Sequence, residues 1–214
     1  MSLIQFIEGP LWYFTAFVFV VGIVWRLASL LRFAKRRDFS LAKASSSTGA
    51  LVANFRHFVP RSIFLGRTSF NFYVGYLFHI GLLVLLLFAA PHMEFLRDHV
   101  FGFGWPVLPD WAFIVVAEIA FGSLILLYIR RLMDPVQSRL SDRDDHVVAL
   151  LTLLVLLTGC MALSREDVFL RGLHMLVVEV WMLYFPFSRL MHTFTFIFSR
   201  SYTGQVYGRR GEVL

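Results

Sequence analysis

Five stretches of this chain are apolar for about the length of a membrane crossing, and that one feature limits the fold more than any other. A helix rises 1.5 Å per residue, so about 20 apolar residues span a hydrocarbon layer about 30 Å thick. Runs of this kind occupy residues 10–31, 70–90, 111–129, 147–163 and 168–198. Lipid offers no partner to a backbone N–H or C=O, so only helices or a closed barrel can cross it. The runs lack the alternating pattern of barrel strands. With 58% hydrophobic residues and a mean hydropathy of +0.70, a 214-residue chain exceeds what one soluble core can hide. The expected fold is an all-α integral membrane protein with five transmembrane helices in a single domain, 1–214. No internal repeat and no separate soluble domain is evident. The first run lacks a basic leader and a small-residue cleavage site, so it reads as a retained helix.

Charge sets the expected orientation. Lys35, Arg36, Arg37, Lys43, Arg56, Arg61 and Arg67 crowd segment 34–68, against the one acid Asp38. Arg130, Arg131, Arg139 and Arg143 follow the third run, and Arg200, Arg209 and Arg210 follow the fifth. The opposite connections hold only Arg97, Arg165 and Arg171. The positive-inside rule then predicts an outside N-terminus and a cytoplasmic C-terminus. It also accounts for the formal charge of +6 without nucleic acid. Trp12, Trp105, Trp111 and Tyr202 fall near predicted interfaces. Within the cytoplasmic loop 34–68, Ser45–Gly49 reads as a flexible stretch. Residues 51–64 read as a segment that lies on the membrane surface or docks a cytoplasmic partner.

The histidines carry the functional signal. His79 lies in the second run, and His174 and His192 lie in the fifth. Ionisable side chains at membrane depth are costly and usually face a cavity or cofactor. Heme b takes two axial imidazoles from facing helices. Eighteen residues separate His174 from His192, about five turns and about 27 Å on a continuous helix, which suits two sites at different depths. Pro186 lies between them and predicts a bend. By depth, His79 at about 14 Å and His192 at about 9 Å from the cytoplasmic side form one pair. His174 lies near the outer surface, where His92 is the best-placed partner if Pro91 re-aims it, with His99 a lesser substitute. A solvated loop histidine is the alternative for His92. His57 and His146 read as surface residues. The single Cys160 excludes an intrachain disulfide, a protein-bound iron–sulfur cluster and a Cys-x-x-Cys-His heme attachment.

The motifs Leu77-Phe78-His79-Ile80-Gly81, Leu173-His174 and Phe185-Pro186-Phe187-Ser188-Arg189-Leu190-Met191-His192 run through these positions. Taken with the five helices, they resemble the cytochrome b (gamma) subunit of respiratory nitrate reductase. The wider superfamily includes membrane subunits paired with heterodisulfide-reductase-like iron–sulfur proteins, and the resemblance spans nearly the whole chain. It implies that His79 and His192 hold one heme b and that His174 holds a second. The family's partner for that second heme would fall at about Ala89, which cannot ligate. Either His92 replaces it, or the second heme is absent or differently held. The resemblance further implies electron exchange between quinone or menaquinone and a cytoplasmic iron–sulfur subunit, in the cytoplasmic membrane of a bacterium or archaeon.

Glu118 and Glu179 interrupt apolar runs. They are candidates for a proton relay beside a quinone near His174, or for glutamates bonded between helices. Arg189, one turn before His192, is a candidate contact for heme propionates, with snorkelling toward the interface as its alternative. The rival functions are a proton-coupled transporter and a heme-free membrane anchor.

Overall fold

The computed structural model describes residues 2–33, 41–59, 65–163 and 167–212. Lys35, Arg36, Arg37, Asp38, Arg61 and Arg165, which enter the charge argument, lie outside the described residues, as does the 60–64 end of the expected surface segment. All regular structure among the described residues is helical. Five helices are long and apolar enough to cross a membrane: Leu3–Arg32, Thr68–Phe88, Asp110–Met133, Arg143–Met161 and Val168–Phe187. The protein is a multi-pass, five-span, all-α membrane protein. Apolar side chains such as Phe17, Leu83 and Ile119 point outward along these spans, as lipid solvation requires.

In chain order, the helices are α1 (Leu3–Phe6), α2 (Trp12–Phe33), α3 (Ser46–Arg56), α4 (Leu65–Phe88), α5 (Ala90–Leu96), α6 (Asp110–Met133), α7 (Pro135–Leu140), α8 (Arg143–Met161), α9 (Val168–Tyr184) and α10 (His192–Arg209). Contacts divide the chain into two units, Thr68–Val178 and Met1–Arg67 with Glu179–Leu214.

The Thr68–Val178 unit is built on α4, α6 and α8. Phe78, Leu85, Ala117, Ala120, Leu124 and Leu156 form its core. Gly81 brings α4 close to α6, since a Cβ there would lie 2.9 Å from Ala120 Cβ. Small-residue contacts of this kind drive helix association where no hydrophobic effect operates between helices. At the polar end, Arg131 bonds Ser141 Oγ at 2.9 Å and pairs with the buried Asp145 at 3.3 Å, tying α6 to the start of α8. Asp142 and Asp145 form a reciprocal cap that starts α8.

The other unit contains α2, α3 and α10. Pro186 seats against Gly22 of α2, where a Cβ would lie 2.7 Å from Pro186 Cγ. Phe19 packs edge-on to Phe185 at 5.2 Å. Helices α3 and α10 run antiparallel: Lys43 N–H donates to Arg209 O at 2.8 Å, and Asn54 Nδ2 donates to Ser201 Oγ at 2.8 Å. Between these bonds the backbones nearly touch. A Cβ on Gly204 would lie 2.6 Å from Ala53 Cβ and 2.8 Å from Ala50 Cα.

Two expectations need correction. The fifth helix is not continuous over 168–198. It ends at Tyr184, and 3-10 turns at Phe185–Phe187 and Arg189–Met191 flank an extended Ser188 with φ −115° and ψ 177°. Pro186 has no N–H to continue the ladder. Ser188 Oγ then accepts from Leu190 N–H at 3.2 Å, starting a new turn. The five-turn phase argument linking His174 to His192 therefore fails. The Ser45–Gly49 stretch is not an irregular tether either. Ser45 is the N-cap of α3, accepting from Thr48 N–H at 3.4 Å, and residues 46–49 form the first turn.

Replacing Gly81 by leucine forces atoms into the Ala120 contact and should destabilise the Thr68–Val178 unit by about 1–3 kcal/mol. Gly75→Ala, where nothing lies within 4 Å of the added carbon, should be neutral or stabilising by up to about 1 kcal/mol. Thermal unfolding of the two variants in one detergent checks both. Equal melting points would contradict the packing described.

Candidate functional site

The end of α4 creates the site. The helix ends at Phe88 and Ala89 turns extended with ψ 132°, so Leu87 O and Phe88 O need partners from outside α4. Leu85 O accepts from Ala89 N–H at 3.2 Å. Leu87 O accepts from the Trp105 indole at 2.6 Å, and Phe88 O accepts from Leu108 N–H at 2.9 Å. Pro91 sits in the first turn of α5, where a missing N–H costs nothing. The kink turns His92 back toward α4, and its Nδ1–H donates to Leu85 O at 2.8 Å. A carbonyl can only accept, so this bond fixes the proton on Nδ1 and leaves Nε2 as the basic nitrogen. Burial pushes the His92 imidazole below its ordinary range, outweighing the opposite effect of the Leu85 bond, and so favours the neutral form that can ligate a metal.

His174 approaches from α9. Its ring centre lies 6.1 Å from that of His92, with an interplanar angle of 24°. The Thr158 hydroxyl donates to Leu154 O at 2.8 Å, so it is free to accept from His174 Nδ1 at 3.1 Å. Gly159 makes room for the ring, since a Cβ there would lie 3.1 Å from His174 Cε1. Both imidazoles are thus held from behind through Nδ1, the usual way a protein orients a ligating histidine.

Metal–imidazole bonds are about 2 Å long, and a ring centre lies about 1 Å behind its nitrogen. Two rings on opposite faces of one iron therefore stand about 6 Å apart. The observed spacing meets that figure. Among the described residues, no group of three or more His, Cys, Asp or Glu side chains is placed to hold a metal ion. A bare ion would lack donors here, whereas a macrocycle brings four nitrogens of its own and needs only the two imidazoles.

The other candidates are placed as follows. His79 is exposed on α4 and bonded through Nδ1 to Gly75 O at 2.7 Å. His192, also exposed, opens α10, and its Nδ1 bonds Arg189 O at 2.7 Å. They belong to different units of the chain. His57 and His99 make the same backbone bond, at 2.6 Å and 3.1 Å, so that bond alone does not mark a ligand. His99 stacks on Phe95 at 4.4 Å rather than on His174. Arg189 is exposed in the turn before α10.

Glu118 and Glu179 differ sharply. Glu118 is exposed on α6, whereas Glu179 is 2% exposed, and neither of its carboxyl oxygens has a hydrogen-bond partner among the described residues. Glu179 lies five residues beyond His174 on α9, about 140° around the helix, so the two side chains do not share a face. Sequence reasoning missed Thr158, grouped Gly159 with Gly75, Gly81 and Gly122 as positions for close helix or porphyrin approach, and read Trp105 only as an interfacial ring. The only signal was a hydroxyl residue and a glycine side by side in an apolar run, opposite a predicted histidine.

No family model matches the chain. It is similar to a protein of the bacterium Nitratidesulfovibrio vulgaris named only "Protein", at 26% identity over 215 residues, covering 96% of this chain and 94% of the relative.

Trp105→Phe keeps the ring but removes the donor to Leu87 O. An unsatisfied carbonyl should cost about 1–3 kcal/mol, read as a lower melting temperature. An unchanged melting temperature would mean that the indole does not secure the end of α4.

Proposed function

We propose that the chain is a heme-b subunit of a respiratory oxidoreductase complex in a bacterial or archaeal cytoplasmic membrane, passing electrons between quinone and a cytoplasmic iron–sulfur partner. The observation that carries this reading is the His92–His174 pair: near-parallel imidazoles with centres 6.1 Å apart, each tethered through Nδ1. Heme b, when bound, supplies the one-electron chemistry. The chain's residues ligate and orient it. His92 and His174 present their Nε2 nitrogens, while Leu85 O and Thr158 Oγ1 lock the tautomer and ring angle.

The departure from the family pattern at Ala89 supports the same pair. Ala89 is the hinge, 1% exposed, and the imidazole that the family carries near that position is supplied three residues later by His92. His79 and His192 are proposed as the ligands of a second heme on the strength of the sequence resemblance, with Arg189 near its propionates. Glu179, buried with both oxygens unpartnered, is the better of the two glutamates for moving protons during quinone chemistry. The basic segments 34–68 and 130–143 and the tail support a cytoplasmic C-terminus, the side on which the partner is proposed to dock.

Heme quantitation and reduced-minus-oxidised spectra of the purified protein test the assignment. Two b-type hemes per chain are expected. His92→Ala and His174→Ala should each remove the same heme and leave the other, and His79→Ala or His192→Ala should do the converse. A colourless protein would reject the proposal and leave a transporter or an anchor. One heme, insensitive to His92→Ala, would reject the His92–His174 site.

A further inference from the structure

Helix α3 has two faces of different character. At about 100° per residue, Gly49, Ala50, Ala53 and His57 fall on one side, the side that α10 covers. Leu51 and Phe55 stand at i and i+4 on the opposite side, with Val59 in the bend three residues beyond the end of α3 and Val52 beside them on the helix. They are 64%, 74%, 69% and 39% exposed, so the packing that buries the small face leaves the large apolar face uncovered. An amphipathic helix with this pattern needs an apolar neighbour.

We infer that this face docks into the surface of the membrane that the chain already spans, at a leaflet rich in anionic lipid. Two observations select lipid. The first is continuity with the lipid-facing surface. Phe58, at the end of α3, stands 6.4 Å from Phe196 in the first turns of α10. Phe194 of α10 packs 6.4 Å from Phe19 of the first span. Ile197 is 51% and Phe198 37% exposed on the same stretch of α10, extending the apolar surface from the span toward α3. The chain between the first two spans ties α3 at both ends, so the helix cannot leave the bilayer surface far behind.

The second observation is charge. Within 41–59 and 192–212 there are five basic side chains, Lys43, Arg56, Arg200, Arg209 and Arg210, against the one acid Glu212. Helices that insert an apolar face below the headgroups and keep basic residues at their level bind anionic leaflets in this manner. Arg200 also lies over Phe58 at 4.7 Å and Phe196 at 5.1 Å, so a cation sits at the junction of the two helices. The tight Gly49–Gly204–Gly208 seam holds α3 in one rotational setting on α10, so its apolar face is presented as a fixed surface.

Spin labels on the full-length protein test the inference independently of any heme. In a Cys160→Ser background, labels are placed by Leu51→Cys and Phe55→Cys on the apolar face, and by Ser46→Cys, exposed and at least 140° around the helix from both, as control. The protein is set in nanodiscs of phosphatidylcholine with or without phosphatidylglycerol, and collisions with oxygen and a water-soluble nickel chelate are measured. With phosphatidylglycerol, the oxygen-to-nickel accessibility ratio at 51 and 55 should exceed that at 46 several-fold, and it should fall when phosphatidylglycerol is omitted. Nickel-accessible labels at 51 and 55 in both membranes would overturn lipid docking and assign the face to a protein. Equal immersion in both membranes would overturn the role given to charge.

Discussion

A backbone carbonyl at the edge of a bilayer must find a donor within the protein, and the end of α4 shows how much follows from that requirement. Stopping the helix at Phe88 frees Leu87 O and Phe88 O, which Trp105 and Leu108 then claim, while His92 adds a second bond to Leu85 O. The kink at Ala89 aims His92, and its bond to Leu85 O, which already accepts from Ala89 N–H, fixes the ring. One break serves two ends: it hands Leu87 O and Phe88 O to new donors, and it points an imidazole toward α9. The same economy operates on the other side, where Thr158 donates to its own helix and accepts from His174.

The five spans were legible because lipid solvation imposes a length and a composition that single residues cannot disguise. Boundaries shifted by a few residues at most ends, as expected where polar caps such as Asp142 lie beyond the apolar run. The fifth span was the failure. Hydropathy does not register the difference between a bent helix and a broken one, and Phe185-Pro186-Phe187-Ser188 is apolar enough to read as continuous. The break depends on Ser188 capping the next turn, a local hydrogen bond that periodicity does not see. The serine-rich stretch was misread for a related reason: Ser45 caps α3, and the small residues after it suit a close helix contact, so its composition resembles that of a flexible tether.

For the candidate site, the imidazoles were legible, while of their supports only Gly159 was singled out, as a place for close approach, and the partners of Thr158 and Trp105 were not. Proline after alanine signalled that His92 could be re-aimed, and the structure brings it to 6.1 Å from His174. Thr158, Gly159 and Trp105 act through contacts far apart in sequence, which no local pattern discloses. The glutamates were separable only by burial. Sequence placed both in apolar runs, and packing left one exposed on α6 and the other enclosed.

The central claim is that His92 and His174 are the two axial ligands of one iron. Anomalous diffraction at the iron edge on crystals of the purified protein tests it most directly. The account predicts a peak about 2 Å from the Nε2 atoms of both rings. An iron peak bonded to only one of them, or no iron near either, would contradict it.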